Sequence, residues 1–347
     1  MGKRVTVQDI ADELGLSRNT VSKALNNAGG LADATRERII HKAMEMGYKQ
    51  FAVLAAAQDP LAIPSRSAAA DGPNEVALLT TIFIDRDHFA SLTLDALQND
   101  LTQRGYMLNT HRVTKEDLAA GRLPLTVHLE QTAAIVCIEI FDHAYADMVC
   151  ELGLPTLFMD GPTKLGGYAL ESDQLYMDNR DGIGQLVHDM VAQGVRRIGF
   201  IGNWEHCQSF LERYTAFRTS MILEGVPVDE RWCIKQNKLH PIHHQLQELD
   251  ELPELFLCAN DFVAFDAHRA LRKMDYDVPR DIMLAGFDDS SASRNWIPQL
   301  TTIHIHTQSM AYQAMELLAT RMREPSLAYR LVYCQTELIN RQSTERA

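Results

Sequence analysis

Apolar residues in the first fifty positions recur with the spacing of short helices. The first set lies at i, i+3, i+4 and i+7, on one helical face, and consists of Val7, Ile10, Ala11 and Leu14. Thr6 precedes this set and is predicted to cap the helix, and Gly15 ends it. A second helix is predicted from Arg18 to about Leu25, with Ser17 as its cap.

A third helix is predicted from Thr35 to about Gly47. Its apolar residues are predicted to complete a small hydrophobic core: Ile39, Ile40, Ala43, Met44 and Met46. The first two helices are short and are joined by a tight turn that contains glycine, which is the helix-turn-helix pattern. Residues 1–50, called the head below, are therefore predicted to form an all-α domain.

We interpret residues 51–75 as a connector, because residues 58–75 lack a regular apolar period and contain three prolines. From residue 76 onward, apolar runs alternate with segments of helical spacing. Strands are predicted at residues 76–84, 133–138, 156–159, 197–201, 255–258 and 283–287, and a helix at residues 90–104. This alternation predicts parallel sheets with helices on both faces, and ligands bind such sheets beyond the carboxyl ends of the strands. Residues 76–347 are called the body below.

The distribution of charge separates the head from the rest of the chain. The 347 residues carry a net charge of −13, from 33 basic and 46 acidic residues. The head contains eight basic and six acidic residues, whereas residues 51–347 contain 25 basic and 40 acidic ones. A mildly basic head on an acidic body makes the head the candidate for a polyanionic partner.

Composition favours a cytoplasmic protein. No apolar run approaches a membrane span, and the first residues lack the apolar stretch of a secretory signal, so no membrane partner is expected. The six cysteines are scattered without a C-x-x-C pair and are expected to be reduced. His240, His243 and His244 lie close together but lack acidic or cysteine ligands at a typical spacing, so a solvated loop is predicted there. No cofactor, metal site or catalytic residue is predicted, because no nucleophile, phosphate-binding or metalloprotease motif is present.

The head carries a recognisable sequence. T-V-Q-D-I-A-D-E-L-G-L-S-R-N-T-V-S-K-A-L-N-N, followed by T-R-E-R-I and G-Y, closely resembles the head of the lactose/galactose repressor (LacI/GalR) family over about 43 residues. In such a motif the second helix enters the major groove. The resemblance implies that Arg18, Asn19 and Lys23 contact base edges, for which their side chains are suited. Candidate phosphate contacts are Thr6, Ser17, Thr20, Ser22 and Asn26.

The connector departs from the family. The family usually has Tyr-x-Pro-Asn-x-x-Ala-Arg-x-Leu, whose leucine wedges into the minor groove, whereas Ala57 stands at the leucine position here. An alanine cannot unstack a base step as a leucine can. Either Leu54 or Phe51 substitutes from another face of an alanine-rich helix, or the segment is a tether with little role at the groove.

The body resembles the effector-binding part of the same family, which is similar to periplasmic sugar-binding proteins. Matching stretches include M-D-N at 177–179, S-x-x-x-R at 209–213, C-A-N-D at 258–261 and G-F-D-D at 286–289. The resemblance implies an α/β fold of two parallel-sheet lobes with the ligand between them. Lobe 1 is expected at about 76–176 and 305–336, and lobe 2 at about 177–304 and 337–347.

The resemblance assigns the effector to polar residues that are expected just after strand ends: Asp160, Arg213, Asn260 and Asp288. Carboxylates, a guanidinium and an amide bind sugar hydroxyls through charge-assisted hydrogen bonds. Further candidates, from lobe 1, are Asp85, His88 and Phe89, of which Phe89 would stack on a sugar ring. The alternative is structural: Asp288 caps a turn, and Asn260 caps the helix that follows it.

These features predict a sequence-specific transcriptional regulator, a repressor, and not an enzyme. A homodimer would read a pseudo-palindromic double-stranded DNA operator, and a sugar or related small metabolite between the lobes would control operator affinity. The chain ends without a heptad tail, which favours a dimer over a tetramer. The alternatives are a regulator controlled by a protein corepressor and a solute-binding protein.

Overall fold

The computed structural model describes residues 6–25, 35, 38–39, 42–43, 46, 72–84, 88–236 and 240–345. The chain divides into two compact units, Met1–Pro64 and Ser65–Ala347. The first unit contains the head and the second contains the body.

Two short helices of the head, α1 (Val7–Leu14) and α2 (Arg18–Leu25), begin at side-chain caps. The Thr6 hydroxyl accepts from the amide of Asp9 (3.3 Å), and the Asp9 carboxylate accepts from the amide of Thr6 (2.7 Å). Gly15, at φ 64°, ends α1 in the left-handed conformation that glycine adopts without strain. The hydroxyl of Ser17 accepts from the amide of Thr20 (3.1 Å), as predicted for the cap of α2.

The core of the head joins these helices to a third helical segment, of which residues 35, 38–39 and 42–43 are described. Its buried residues are Ile10, Ala11, Val21, Ala24, Ile39 and Ala43. Met46 packs against them, whereas the predicted core residues Ile40 and Met44 lie outside the described residues. Lys42 of this segment forms an ion pair with Glu13 of α1 at 3.6 Å.

The body alternates strands and helices along the chain. Its elements are β1 (Glu75–Thr80), α3 (Ala90–Gln103), β2 (Met107–Arg112), α4 (Lys115–Ala120), β3 (Thr132–Ile138), α5 (His143–Cys150), β4 (Thr156–Met159), β5 (Asp173–Met177), α6 (Asp181–Ala192), β6 (Ile198–Ile201), α7 (Gln208–Leu223), β7 (Cys233–Ile234), α8 (Ile242–Gln247), β8 (Leu255–Cys258), α9 (Asp261–Lys273), β9 (Met283–Ala285), α10 (Ser291–Asn295), β10 (Thr302–Ile305), α11 (Thr307–Arg323), β11 (Leu331–Cys334) and β12 (Thr336–Ile339). None of the helices among the described residues has the length and apolar character needed to cross a membrane.

Two parallel sheets form two lobes. Lobe 1 has six strands in the order β11-β5-β4-β3-β1-β2, and lobe 2 has four in the order β7-β6-β8-β9. The chain passes between them after β5, after β10 and after β11. The short antiparallel pair β10-β12 lies at these crossings, where the carbonyl of Asp178 accepts from the hydroxyl of Thr336 (2.9 Å).

The predicted strand at residues 76–84 is too long. β1 ends at Thr80, and the chain then bends, with the Thr81 hydroxyl donating to the carbonyl of Glu139 (2.7 Å). Ile82 and Phe83 belong to the same apolar run but line a cavity between the lobes. Apolar character predicted burial correctly up to Thr80, but it does not distinguish a strand from the wall of a cleft.

Two other strands, β2 and β5, were not predicted, because polar residues interrupt their apolar pattern. β2 is an edge strand whose side chains are mostly exposed, and β5 begins with Asp173 and Gln174 although every residue of it is buried. The Asp173 carboxylate is neutralised by Arg321, which lies 148 positions later, through bonds of 3.0 and 3.1 Å. Burial of β5 therefore depends on a contact that no local pattern reveals.

The solvated loop predicted around the three clustered histidines is also wrong. Helix α8 begins there, and Ile242 and Leu246, four residues apart, are buried in the hydrophobic core of lobe 2. Burial of this apolar pair on one face stabilises the helix, although the residues between the two are polar.

We expect Gly199→Ala to destabilise the body. A Cβ at Gly199 would lie 2.7 Å from both the carbonyl oxygen of Trp232 and the ring of Phe256, and β6 is held between two strands and cannot shift. The expected cost is about 1–3 kcal/mol of unfolding free energy, measured by urea denaturation of the full chain.

Gly184→Ala is the matched control. Its Cβ would meet only the hydroxyl of Ser220 at 3.5 Å, and Gly184 lies inside α6, so we expect a gain of about 0.5–1 kcal/mol. Equal effects of the two substitutions would contradict the packing described for β6.

Candidate functional site

The outer face of α2 presents polar side chains to solvent. Arg18, Asn19 and Lys23 are exposed, whereas Val21 and Ala24 of the same helix are buried in the core of the head. The cap at Ser17 fixes where the helix begins, and so it places Arg18 and Asn19 in the first turn. This arrangement leaves the side chains of Arg18 and Asn19 exposed to solvent.

The predicted phosphate contacts are less completely described. Thr6 and Ser17 are exposed at the starts of α1 and α2, and Thr20 is half-buried. Ser22 lies on α2. Asn26, as well as Leu54 and the other connector residues from 51 to 71, lies outside the described residues.

A cavity of about 280 Å³ lies between the two lobes of the body. It brings together six of the seven residues predicted to hold an effector: His88, Phe89, Asp160, Arg213, Asn260 and Asp288. The seventh, Asp85, lies outside the described residues.

Arg213 is the buried centre of the cleft. The prediction that it follows a strand is wrong. It lies in the second turn of α7, and its side chain extends toward β8. Its Nε donates to Oδ1 of Asn179 (2.9 Å) and its Nη1 to the carbonyl of Ala259 (2.7 Å). The guanidinium also stacks over the ring of Phe287, 3.6 Å from the centroid. These contacts fix the position of a buried positive charge in lobe 2.

Asp288 lies beside this guanidinium, and both residues line the cavity. Its Oδ1 lies 3.5 Å from Nη1 of Arg213, which is within ion-pair distance, but it accepts no hydrogen bond from any described residue. Burial raises the pKa of the Asp288 carboxyl to about 7, although Arg213 opposes this shift. The carboxyl, which lines the cavity, therefore retains one acceptor that no described donor satisfies.

The neighbouring Asp289 holds the turn in which Asp288 lies. Asp288 and Asp289 both have positive φ, 111° and 51°, a conformation that costs energy in residues other than glycine. Asp289 accepts from Arg341 (2.5 Å), Arg294 (2.7 Å) and His304 (3.0 Å). Burial alone would raise the pKa of Asp289, but these donors hold it well below its usual range.

Asp160 lies at the opposite side of the cleft, directly after β4 in lobe 1. Its Oδ1 accepts from the amide of Gly161 (2.8 Å) and from that of Ser209 in the first turn of α7 (3.3 Å). Burial raises the pKa of Asp160 to about 6, and these hydrogen bonds reduce the shift. A lobe 1 carboxylate thus occupies the start of a lobe 2 helix.

Asn260 and His88 both have structural contacts besides lining the cavity. Asn260 caps α9, since its Oδ1 accepts from the amide of Val263 (3.0 Å), so the structural alternative holds for this residue. Nε2 of His88 lies 3.3 Å from Oε1 of Glu139, and its Nδ1 accepts from the amide of Ala90 (3.2 Å).

The structure adds residues that the sequence interpretation missed: Phe83, Glu139, Phe141, His206, Phe210 and Phe262. Glu139 and Phe141 follow β3 directly, so the rule that ligands bind beyond strand ends would have found them. Phe141 and His206 meet across the cleft edge to face, with centroids 4.8 Å apart. Burial lowers the pKa of His206. These residues make the wall of the cleft largely aromatic.

A larger depression of about 790 Å³ in lobe 2 shares four residues with the cleft, His206, Phe210, Asn260 and Phe262. Three of its six other polar residues lie on α9, where Arg269 pairs with Asp266. The interlobe cleft therefore has the more buried and more specific set of polar groups. The described residues contain no group of three or more His, Cys, Asp or Glu side chains arranged to hold a metal ion.

The chain is similar to known regulators over nearly its whole length. Residues 6–50 match the profile of bacterial regulatory proteins, lacI family, and residues 187–344 match that of the periplasmic binding protein-like domain. The transcriptional regulator GalR of Lacticaseibacillus casei is 26% identical, and the alignment covers 98% of this chain and 99% of GalR. The transcriptional repressor PurR of Mannheimia succiniciproducens is 24% identical with the same coverage.

Solved structures share the fold. The complex of the transcriptional regulator CelR with cellobiose has a TM-score of 0.68 at 21% identity, and the comparison covers 98% of this chain and 100% of CelR. The lac repressor dimer bound to operator and the anti-inducer ONPF has a TM-score of 0.65 at 19% identity, with 99% of each chain covered.

The raised pKa of Asp288 predicts a pH-dependent stability. A carboxyl whose pKa is raised in the folded state stabilises the fold below its unfolded pKa of about 4, and this contribution is lost as pH rises through about 7. The groups that act on Asp288 are Arg213, Asp261, His88 and Glu139. Asp288→Asn removes the titration, so between pH 5 and 8 stability should shift in favour of the variant by on the order of 2 kcal/mol.

The measurement is the free energy of urea unfolding at several pH values for wild type and variant. Asp250→Asn, at an exposed carboxyl of the same lobe, is the matched control. A constant difference between wild type and Asp288→Asn across this range would show that Asp288 does not titrate as its burial requires.

Proposed function

Because the chain belongs to the lacI family of bacterial regulatory proteins, it is a DNA-binding regulator of transcription with a ligand-binding body, and we propose that it is a cytoplasmic repressor controlled by a sugar or related small metabolite. The ligand would bind in the interlobe cleft. The observation that carries this proposal is the buried Oδ1 of Asp288, which faces Arg213 and accepts no hydrogen bond from any described residue.

For DNA recognition we propose α2 as the helix in the major groove. The exposure of Arg18, Asn19 and Lys23 supports base contacts by these residues, since Arg and Lys donate to guanine and Asn pairs with adenine. Proposed phosphate contacts are Thr6, Ser17, Thr20, Ser22 and Asn26. For Leu54 we propose an insertion into the minor groove, with a loose tether as the alternative.

We further propose a homodimer on a pseudo-palindromic operator. A dimer places two recognition helices on two half-sites, so operator symmetry follows protein symmetry. The similarity to the lac repressor, solved as a dimer on its operator, supports this assembly. A head with only two more basic than acidic residues needs the second head, since each contributes little non-specific attraction.

For the effector we propose contacts from both lobes. Asp160, Arg213, Asn260 and Asp288 would bind ring hydroxyls, which both accept and donate hydrogen bonds. Lobe 1 would add Asp85, His88 and Phe89, with the Phe89 ring against a sugar face. The similarity to CelR, solved with cellobiose, supports a carbohydrate, and a cavity of about 280 Å³ suits a small one.

The effector would act by favouring one arrangement of the lobes. Contacts between the lobes already join the start of α7 to the loop after β4: the amide of Gln208 donates to the carbonyl of Gly161 (3.0 Å). Farther along α7, Glu212 accepts from the hydroxyl of Tyr333 (2.7 Å). A ligand shifts this equilibrium only by its differential affinity for the two arrangements, about 1–3 kcal/mol in typical cases.

The alternatives have weaker support. The lobes alone would suit a solute-binding protein, but a helix-turn-helix head has no role in that function. Control by a protein corepressor alone would leave the buried Oδ1 of Asp288 without a donor among the described residues.

Arg18→Ala should weaken operator binding by about 1–3 kcal/mol and relax base preference at one position of each half-site. The measurement is a binding-site selection from a random duplex library, followed by affinity determination on the selected sites. Gln8→Ala, an exposed change on α1, is the control and should retain the wild-type preference. An unchanged preference in the Arg18 variant would remove α2 from base recognition.

Asp288→Asn should reduce effector affinity by roughly tenfold or more, since a charge-assisted hydrogen bond contributes about 1.5–3 kcal/mol. Operator affinity without effector should stay close to wild type. The measurement is fluorescence anisotropy of the selected operator, titrated with whichever sugar stabilises the wild-type chain against heat. Asp250→Asn should respond as wild type does. A full response in Asp288→Asn would exclude this carboxyl from the effector site.

A further inference from the structure

Among the described residues that line the cleft, carboxyl groups outnumber Arg and Lys side chains. Three of its described lining residues are acidic, Glu139, Asp160 and Asp288, and they lie on both lobes. Arg213 is the only Arg or Lys among the described residues that line it. A phosphate or carboxylate on a ligand would therefore enter a largely dry site beside several groups of its own charge.

The guanidinium of Arg213 is already engaged by the protein. Its Nε and Nη1 donate to Asn179 and Ala259, and Asp288 shares its charge at 3.5 Å. Recognition of an anion by Arg usually uses two parallel donors of one guanidinium. Each parallel pair of Arg213, Nε with Nη2 and Nη1 with Nη2, therefore has one nitrogen that already donates to an oxygen of the protein.

Helix N-termini are the other common anion sites, and at two that open on the cleft, those of α7 and α9, backbone amides already donate to oxygens of the protein. At the start of α7, the amide of Ser209 donates to the Asp160 carboxylate and that of Gln208 to the carbonyl of Gly161. At the start of α9, the amide of Val263 donates to the side chain of Asn260. At these two helices the protein's own oxygens therefore compete with a phosphate for backbone donors.

The remaining surface suits an uncharged ring. Phe89, Phe141 and Phe210 supply apolar faces, and the carboxyl oxygens supply acceptors for hydroxyl donors. On the basis of the proposed function, we infer that the cleft binds an uncharged sugar and rejects sugars that carry a phosphate or carboxylate group. The repressor would then respond to the free sugar and not to the product of its phosphorylation or oxidation.

The test compares neutral and anionic forms of the same sugar on the full-length chain. The pairs are glucose with glucose 6-phosphate, galactose with galactose 1-phosphate, and cellobiose with cellobionate, with adenine and guanine as nitrogen heterocycles. Thermal shift at pH 8 identifies ligands, because both Asp160 and Asp288 are mainly ionised there, and calorimetry measures affinity. For any pair that stabilises the protein, we expect the neutral member to bind at least about tenfold more tightly, or about 1.4 kcal/mol.

Two variants test the cause of the discrimination. Asp160→Asn and Glu139→Gln each remove one cleft charge while keeping a side chain of similar shape. Each should reduce the difference in affinity between the neutral and the anionic member of a pair. Because Asp160 also joins the lobes, Glu139→Gln keeps the test valid if Asp160→Asn unfolds. Asp250→Asn, outside the cleft, should leave the difference in affinity unchanged.

The outcomes separate this inference from the proposed function. An anionic member that binds wild type as tightly as its neutral partner overturns the inference and leaves the sugar effector standing. If neither cleft variant reduces this difference in affinity, the inference is also overturned, because the carboxyl groups would then not cause the discrimination. Stabilisation by adenine or guanine alone, or by none of the compounds, counts against the proposed sugar effector itself.

Discussion

The buried guanidinium of Arg213 is the contact on which the cleft depends. A charge without water must be matched by acceptors, and Asn179, Ala259 and Asp288 supply them from three separate chain segments. The segment after β5, the end of β8 and the turn after β9 are thereby held around one side chain. Substitution of this residue would leave several oxygens unmatched, so a variant made to test its proposed role in ligand binding would also destabilise the fold.

The polar contacts between the lobes have a second consequence. The carboxylate of Asp160 belongs to lobe 1 but accepts from the start of α7 in lobe 2. Farther along α7, Glu212 accepts from the hydroxyl of Tyr333, which lies on β11 of lobe 1. Movement of one lobe against the other would break these bonds together. Such a set favours discrete arrangements over gradual deformation, which is what a ligand needs if it is to change DNA binding at a distance.

Different parts of the site were open to sequence analysis to different degrees. Asp160, Asn260 and Asp288 follow strands, and their positions after strand ends agree with the structure. Arg213 lies instead inside a helix, where only its length brings the guanidinium to the strand ends. Glu139 was missed although it follows β3 directly, where the rule that ligands bind beyond strand ends would have found it.

The sequence by itself determined the local elements and the family: the Thr6 and Ser17 caps, the apolar face of α1 and the alternation of buried strands with helices all depend on neighbours within a few residues. Tertiary structure decided where apolar runs stop being strands and which polar residues are buried. Asp173 enters β5 because Arg321 reaches it from far along the chain. The charge of the cleft was decided in the same way, since it is the sum over two lobes that come together only in the folded body.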